Sequence, residues 1–199
     1  MGKVVATITT SVDGYVTGPD AGPDAGLGIG GERLHYWVFG GPWSYAEEPT
    51  GDPDPIDKAF LDDSMAGLGA VVCGRHTYDS AGAWGGRNPW DRPLFVVTQR
   101  PEDQPDAEKG FTFVDGFRDA FDRARDAAGD RDVCVMGGAE TIRQALSAGI
   151  VDEFVVSVAP LVLGGGTRLF EGFAQDIELE RTEVIASPWA THLRYRLVR

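Results

Sequence analysis

Short unbroken apolar runs alternate with helical stripes over most of the chain. Lys3 to Thr10 is dense in Val, Ile and Thr and predicts a strand. Ser11-Val12-Asp13-Gly14-Tyr15 turns it, and Val16-Thr17 leads into a loop. Ala70 to Cys73, Pro93 to Thr98, Phe111 to Val114 and Val133 to Met136 have the length of strands covered on both faces. Helices are predicted between them. One starts at Asp54-Pro55, an N-cap and first-turn proline, and runs to about Leu68 with Ile56/Phe60 and Leu61/Met65 as pairs four apart. Others start at Gly74-Arg75, follow the stripe Phe117, Ala120, Phe121 and Ala124, and run from Ala139 through Ile142, Ala145 and Leu146 to a left-handed cap at Gly149. After Gly149 the pattern changes. Glu153 to Ala159, Ile177 to Ala186 and Thr191 to Val198 read as strands, the last two joined by the turn Ser187-Pro188-Trp189. An α/β fold follows, with a mostly parallel central sheet flanked by helices and a C-terminal antiparallel hairpin.

Residues 18–54 break the alternation. Gly26-Leu27-Gly28-Ile29-Gly30-Gly31 matches G-x-G-x-x-G, but Gly-Pro-Asp-Ala precedes it rather than a strand, so it is not a dinucleotide fingerprint. A short helical piece follows over Glu32 to Phe39. A loop of this length with Trp37, Phe39, Trp43 and Tyr45 either lines a pocket or roofs the core.

The 199 residues are expected to form one domain, with a formal net charge of -13. That charge disfavours nucleic acid and anionic membrane surfaces, both of which select Lys and Arg. No apolar run is long enough to span a bilayer, and Met1-Gly2-Lys3-Val4 enters a strand with no signal-peptide core, so a cytoplasmic location is expected. Cys73 and Cys134 lie inside apolar runs and read as buried free thiols. His35, His76 and His192 are scattered, so no metal spacing exists.

Three strand ends offer groups for phosphates. At Met136-Gly137-Gly138-Ala139-Glu140-Thr141 two glycines bare the turn before a helix, whose free N–H groups and dipole favour an anion. At Gly74-Arg75-His76-Thr77 a helix start carries a guanidinium, an imidazole and a hydroxyl, and Thr98-Gln99-Arg100 adds a second guanidinium. A pyrophosphate with a separate monophosphate, as in NADPH, accounts for all three. The alternatives are a tight ligand-free turn and ordinary surface ion pairs for Arg75 and Arg100.

Ser11-Val12-Asp13-Gly14-Tyr15-Val16, Cys73-Gly74-Arg75-His76-Thr77-Tyr78, Val135-Met136-Gly137-Gly138-Ala139-Glu140 and Pro160-Leu161-Val162-Leu163-Gly164-Gly165-Gly166 occur in one order along nearly the whole chain. Together they resemble the dihydrofolate reductase-like superfamily, in the branch of the reductase (C-terminal) domain of riboflavin-biosynthesis deaminase-reductases and its stand-alone relatives. The resemblance implies NADPH across the strand ends. Gly74, Arg75, His76 and Thr77 would meet phosphates, and Thr98, Gln99 and Arg100 would lie near the adenosine 2′-phosphate. Met136, Gly137, Gly138, Ala139, Glu140 and Thr141 would follow the pyrophosphate, and Ala6, Val16 and Thr17 would line the nicotinamide side. Independently of the resemblance, the length and aromatic content of the 18–53 loop place Trp37 over the substrate, and Leu163 and Gly164 are expected to face it as well.

The implied reaction is hydride transfer to a C=N or C=O carbon of a small pterin-, pyrimidine- or sugar-like molecule, as in 5-amino-6-(5-phosphoribosylamino)uracil reductase. The other readings are a non-catalytic NADP(H)-binding or sensor domain and a structural dimerisation module. Asp13 or water would supply the proton, unless Asp13 only bonds its own turn. The acid that folate reductases carry on a helix after a Pro-Trp segment has no assigned counterpart. A homodimer is expected, because the triple-glycine loop and late strands resemble the part of the family through which subunits pair and a terminal hairpin leaves an edge to cover.

Overall fold

A computed structural model describes residues 2–47 and 49–198. The strands are β1 Val4–Ser11, β2 Tyr15–Thr17, β3 Leu68–Gly74, β4 Leu94–Thr98, β5 Phe111–Asp115, β6 Asp132–Val135, β7 Glu153–Ala159, β8 Thr167–Arg168, β9 Leu179–Ala186 and β10 Thr191–Leu197. Eight of them form one sheet in the order β5-β4-β3-β6-β1-β7-β10-β9, and β2 and β8 form a small ribbon. From β5 to β7 all neighbours are parallel, whereas β10 runs antiparallel to both β7 and β9. The helices are α1 Tyr36–Phe39, α2 Pro55–Ala66, α3 Arg75–Ser80, α4 Ala83–Gly86, α5 Phe117–Ala128 and α6 Ala139–Ser147. A 3-10 turn over Gly31–His35 leads into α1, and α4 contains left-handed backbone at Trp84 and Gly85. No helix among the described residues is long and apolar enough to cross a membrane.

The apolar runs become strands because helices cover both faces of the sheet. On one face α5 and α6 bury Ala120, Phe121, Ala124, Ile142 and Ala145 against Ala70, Val72, Val133 and Val135. α5 sits close to β3: a Cβ at Gly69 would lie 2.9 Å from the Cβ of Ala128. The other face carries two separate roofs. Tyr78 and Trp84 cover Val71, Cys73, Val96 and Phe113, while Trp37 and Phe60 cover Val155 and Ala190. The boundary between the roofs falls over β6 and β1, near the middle of the sheet.

Helix α2 departs from expectation. Asp54 caps it, accepting the Ile56 N–H at 2.9 Å, with Pro55 in the first turn. Its buried face, however, is Asp57 and Phe60, while Ile56 and Met65 are 44% and 42% exposed. A polar partner for Asp57 outweighs the apolar pairing. The helix also stops at Ala66, because Leu68 joins the sheet opposite Asp132.

Candidate active site

The C-terminal ends of β4, β3, β6 and β1 lie side by side. Two helices begin there, α3 directly after Gly74 and α6 directly after Gly138. The two turns are tied together by the Gly74 N–H, which donates to the Gly137 carbonyl at 2.9 Å. An added side chain would clash at Gly74 and be tightly crowded at Gly138. A Cβ at Gly74 would meet the Thr141 hydroxyl oxygen at 2.6 Å, and one at Gly138 would meet that of Thr77 at 3.1 Å. Gly137 has a φ of 95° and is joined to Gly138 by a cis peptide. No side chain caps the start of α6. Glu140 is turned away, its carboxyl held low first by the Gln144 amide and then by Arg143, both at 3.0 Å. Bared backbone, an uncapped helix start and two hydroxyls make a cradle suited to a pyrophosphate.

Beside it, Arg75 lies over the Phe113 ring at 5.0 Å, with Nε 2.8 Å from Asp79 and Nη1 2.9 Å from Asp103. Arg100 Nε is 3.5 Å from the same Asp103 oxygen. Thr98 is buried and its hydroxyl accepts the Arg100 N–H at 3.0 Å. His76 and Gln99 are exposed. The fold therefore gathers Arg75, Thr98 and Arg100 at one edge, together with an acid that the motifs did not indicate.

On the other side of the cradle several expectations are corrected. Ala6 and Val16 are core residues in the cluster beneath α6, so their side chains line no open pocket. The Thr17 hydroxyl accepts the Thr167 N–H at 3.2 Å, binding β2 to β8. Asp13, expected as a candidate proton donor, is engaged by its own turn and the neighbouring loop. Its carboxylate accepts the Ser11 hydroxyl at 2.6 Å and the N–H groups of Leu163 and Gly164 at 3.0 and 2.8 Å. Those bonds, the Ser11 hydroxyl first, lower its pKa to about 2. Asp13 clamps the triple-glycine loop, and the amides of Leu163 and Gly164 are committed to it.

Trp37 is corrected too. It is 7% exposed, its Nε1–H donates to the Thr9 hydroxyl at 3.2 Å, and its ring meets Phe60 at 5.8 Å. It is a roof of the core rather than an open stacking surface. The rest of its loop is stapled by its own aromatics. Phe39, Trp43 and Tyr45 pack edge to face at 5.1 and 5.0 Å, and the Tyr45 hydroxyl accepts the Leu27 N–H at 2.9 Å.

Under that roof lies a constellation that the sequence did not reveal. Register places Thr9, Ser157 and His192 side by side on β1, β7 and β10. His192 Nδ1 is 2.8 Å from the Ser157 hydroxyl, and Nε2 is 2.8 Å from Asp57 Oδ1. Phe60 stacks on the imidazole at 3.9 Å. Burial lowers the His192 pKa against the pull of Asp57, so the ring has one N–H. Facing a carboxylate, that proton is assigned to Nε2, and Nδ1 accepts from Ser157. Asp57 is fully buried and its Oδ2 has no partner among the described residues. The available signal was an Asp on a helix three residues before a buried Phe, two after a first-turn proline.

The strand order and the paired glycine-opened helices define a dihydrofolate reductase-like fold. Dihydrofolate reductase from Enterococcus faecalis complexed with NADP(H) shares it with a TM-score of 0.66 at 15% identity, over 100% of this chain and 98% of that one. A putative riboflavin biosynthesis protein from Shewanella sp. PV-4 gives a TM-score of 0.74 at 22% identity, over 99% of both chains. A pyrimidine reductase-like protein from Corynebacterium diphtheriae gives 0.62 at 19% identity, over 100% and 92%. The family of the RibD C-terminal domain matches residues 2–191, and the chain belongs to that family. The uncharacterized protein YwjB of Bacillus subtilis (strain 168) is 28% identical over 110 residues, which are 55% of this chain and 62% of that protein's length. Family and structural neighbours support a reductase-like role.

Proposed function

We propose that the protein is an NADPH-dependent reductase acting on a C=N or C=O carbon of a small pterin-, pyrimidine- or sugar-like substrate. The observation that carries this is the pair of tied helix starts at Gly74 and Gly138, where an added Cβ would clash with Thr141 at the first and press on Thr77 at the second. The α6 amides with Thr77 and Thr141 would hold the pyrophosphate, and Arg75 and Arg100 the 2′-phosphate. When bound, the cofactor supplies the hydride. The protein's own acid–base group is Asp57 rather than Asp13. Asp13 has both carboxylate oxygens engaged, whereas the buried Asp57 Oδ2 has no hydrogen-bond partner among the described residues and so keeps an acceptor position for an N–H or a proton.

A homodimer belongs to the same proposal. β7, β10 and the 169–179 segment leave an apolar groove of about 400 Å³ lined by Phe154, Val156, Leu193 and Tyr195, with Phe170 54% exposed at its edge. Fluorescence titration with NADPH, followed by cofactor oxidation against a panel of pterins, pyrimidines and sugar derivatives, tests the activity. Saturable binding and oxidation with at least one member are expected. Binding with no oxidation across the panel would favour a sensor domain, and no binding would end the reading.

A further inference from the structure

Asp103 closes the 3-10 turn Pro101–Asp103 after β4, and one of its oxygens serves both arginines of the phosphate edge, at 2.9 and 3.5 Å. Arg75 is held from two sides, by Asp79 four residues along α3 and by Asp103 across the β3–β4 boundary, with Phe113 beneath it. Its side chain is only 21% exposed, so the guanidinium is fixed in place rather than free in solvent. The formal charges of Arg75, Arg100, Asp79 and Asp103 cancel. A doubly charged phosphate arriving here does not meet two open cations. It meets two cations already sharing a carboxylate.

We propose that Asp103 determines cofactor specificity by competing with the 2′-phosphate for the Arg75–Arg100 pair. The inference rests on the NADPH reading above. A phosphate carries nearly two charges and three acceptor oxygens against one charge and two oxygens for Asp103, so it displaces the carboxylate and takes both guanidinium groups. A ribose with a free 2′-hydroxyl leaves the ion pairs intact, and the carboxylate at their centre is an acceptor for that hydroxyl. The same three side chains therefore admit both nucleotides, and the margin between them is the difference between a phosphate and an aspartate on one pair of arginines. Asp79 does not compete in this way. Its bond to Arg75 Nε is made within one helix and leaves Arg100 untouched.

The test compares wild type, Asp103→Asn and Asp79→Asn by calorimetric titration with NADPH, NADH, 2′,5′-ADP and AMP at two salt concentrations. Circular dichroism confirms that the surface variants are folded. Asp103→Asn is expected to bind NADPH and 2′,5′-ADP about tenfold more tightly, while NADH and AMP bind equally well or more weakly. The gain should shrink at the higher salt. An unchanged NADPH-to-NADH ratio overturns the proposal while leaving NADPH binding intact. So does weaker NADPH binding, which would make Asp103 an organiser of the arginines. An equal gain in Asp79→Asn also overturns it, because the effect would then be the general field. If no nucleotide binds wild type or variants, the cofactor reading falls and this inference with it.

Discussion

The two polar regions of the sheet are built on opposite principles. Over β3, β4 and β6 the polar groups stand at strand ends, and the ion pairs of Arg75 and Arg100 are partly open to solvent. Under α2 the groups stand mid-strand on β1, β7 and β10, with Asp57, Ser157 and His192 almost completely buried. The first region has bare backbone and exchangeable partners, which suits a large anionic ligand. The second has a fixed hydrogen-bond chain and one unmatched oxygen. An unpaired buried acceptor costs about 1–3 kcal/mol, a burden that stability alone gives no reason to keep. The first fits the ligand proposed for it, and the second holds a single group in one orientation.

The largest effect should come from filling the cradle. Gly138 has a φ of -71°, which any residue adopts, so Gly138→Val should fold. Its methyls would press on Thr77 and occupy the proposed pyrophosphate space. Loss of detectable NADPH binding, with circular dichroism and melting temperature close to wild type, is the expected outcome. Normal binding by the folded variant would make the glycine turn purely structural.

The buried region should answer in the opposite way. Trp37→Ala removes a ring packed on Phe60 and His192 and leaves the Thr9 hydroxyl without its donor. The expected cost is about 3–5 kcal/mol of unfolding free energy in urea titrations, with nucleotide affinity unchanged in the folded fraction. A near-normal melting temperature combined with lost turnover would instead restore Trp37 as a pocket wall.

Asp57→Asn separates function from stability within that region. The amide preserves shape and can still accept from His192, but it cannot take or give a proton. Cofactor oxidation by any substrate found in the panel should fall about 100-fold. Melting temperature should hold or rise, since a half-matched buried carboxylate has gone. Equal turnover in the two proteins would remove Asp57 from the mechanism.

These two regions were not equally legible in the sequence. Gly74-Arg75-His76-Thr77 and Met136-Gly137-Gly138 are contiguous, and local chemistry alone says that bare turns before helices favour anions. The parallel sheet and the late hairpin were equally open to reading, because each strand is a local run. Asp57, Ser157 and His192 are separated by 100 and 35 positions, and only strand register and the seating of α2 bring them together. Apolar periodicity misassigned the face of α2 for the same reason: it counts Ile56 and Met65 but has no measure of a buried Asp–His bond. Trp37 is a related case. A long aromatic loop suits a lid or a roof equally well, and the Thr9 hydroxyl that decides between them lies 28 residues away.

The smallest expected effect is a pH dependence that tells the two regions apart. Asp13 has a native pKa of about 2, below its ordinary 3.8, because the Ser11 hydroxyl and two loop amides favour the carboxylate. Between those values the unfolded chain binds more protons than the folded one. Its contribution is therefore complete above about pH 5 and is lost as pH falls through 4 toward 2. His192 acts in a higher window. Burial lowers its pKa below 6.5, so the folded ring stays neutral while the unfolded ring takes up a proton, and stability declines as pH falls below that value. Asp13→Asn should lose only the lower window. Urea unfolding of wild type and Asp13→Asn from pH 7 to pH 2 should give a stability difference that is constant down to about pH 5 and then closes. The decline beginning near pH 6.5 should persist in both proteins and be absent from a folded His192 variant such as His192→Gln. A difference that stays constant to pH 2 would mean that the Asp13 carboxylate is not the group holding the Leu163–Gly164 amides.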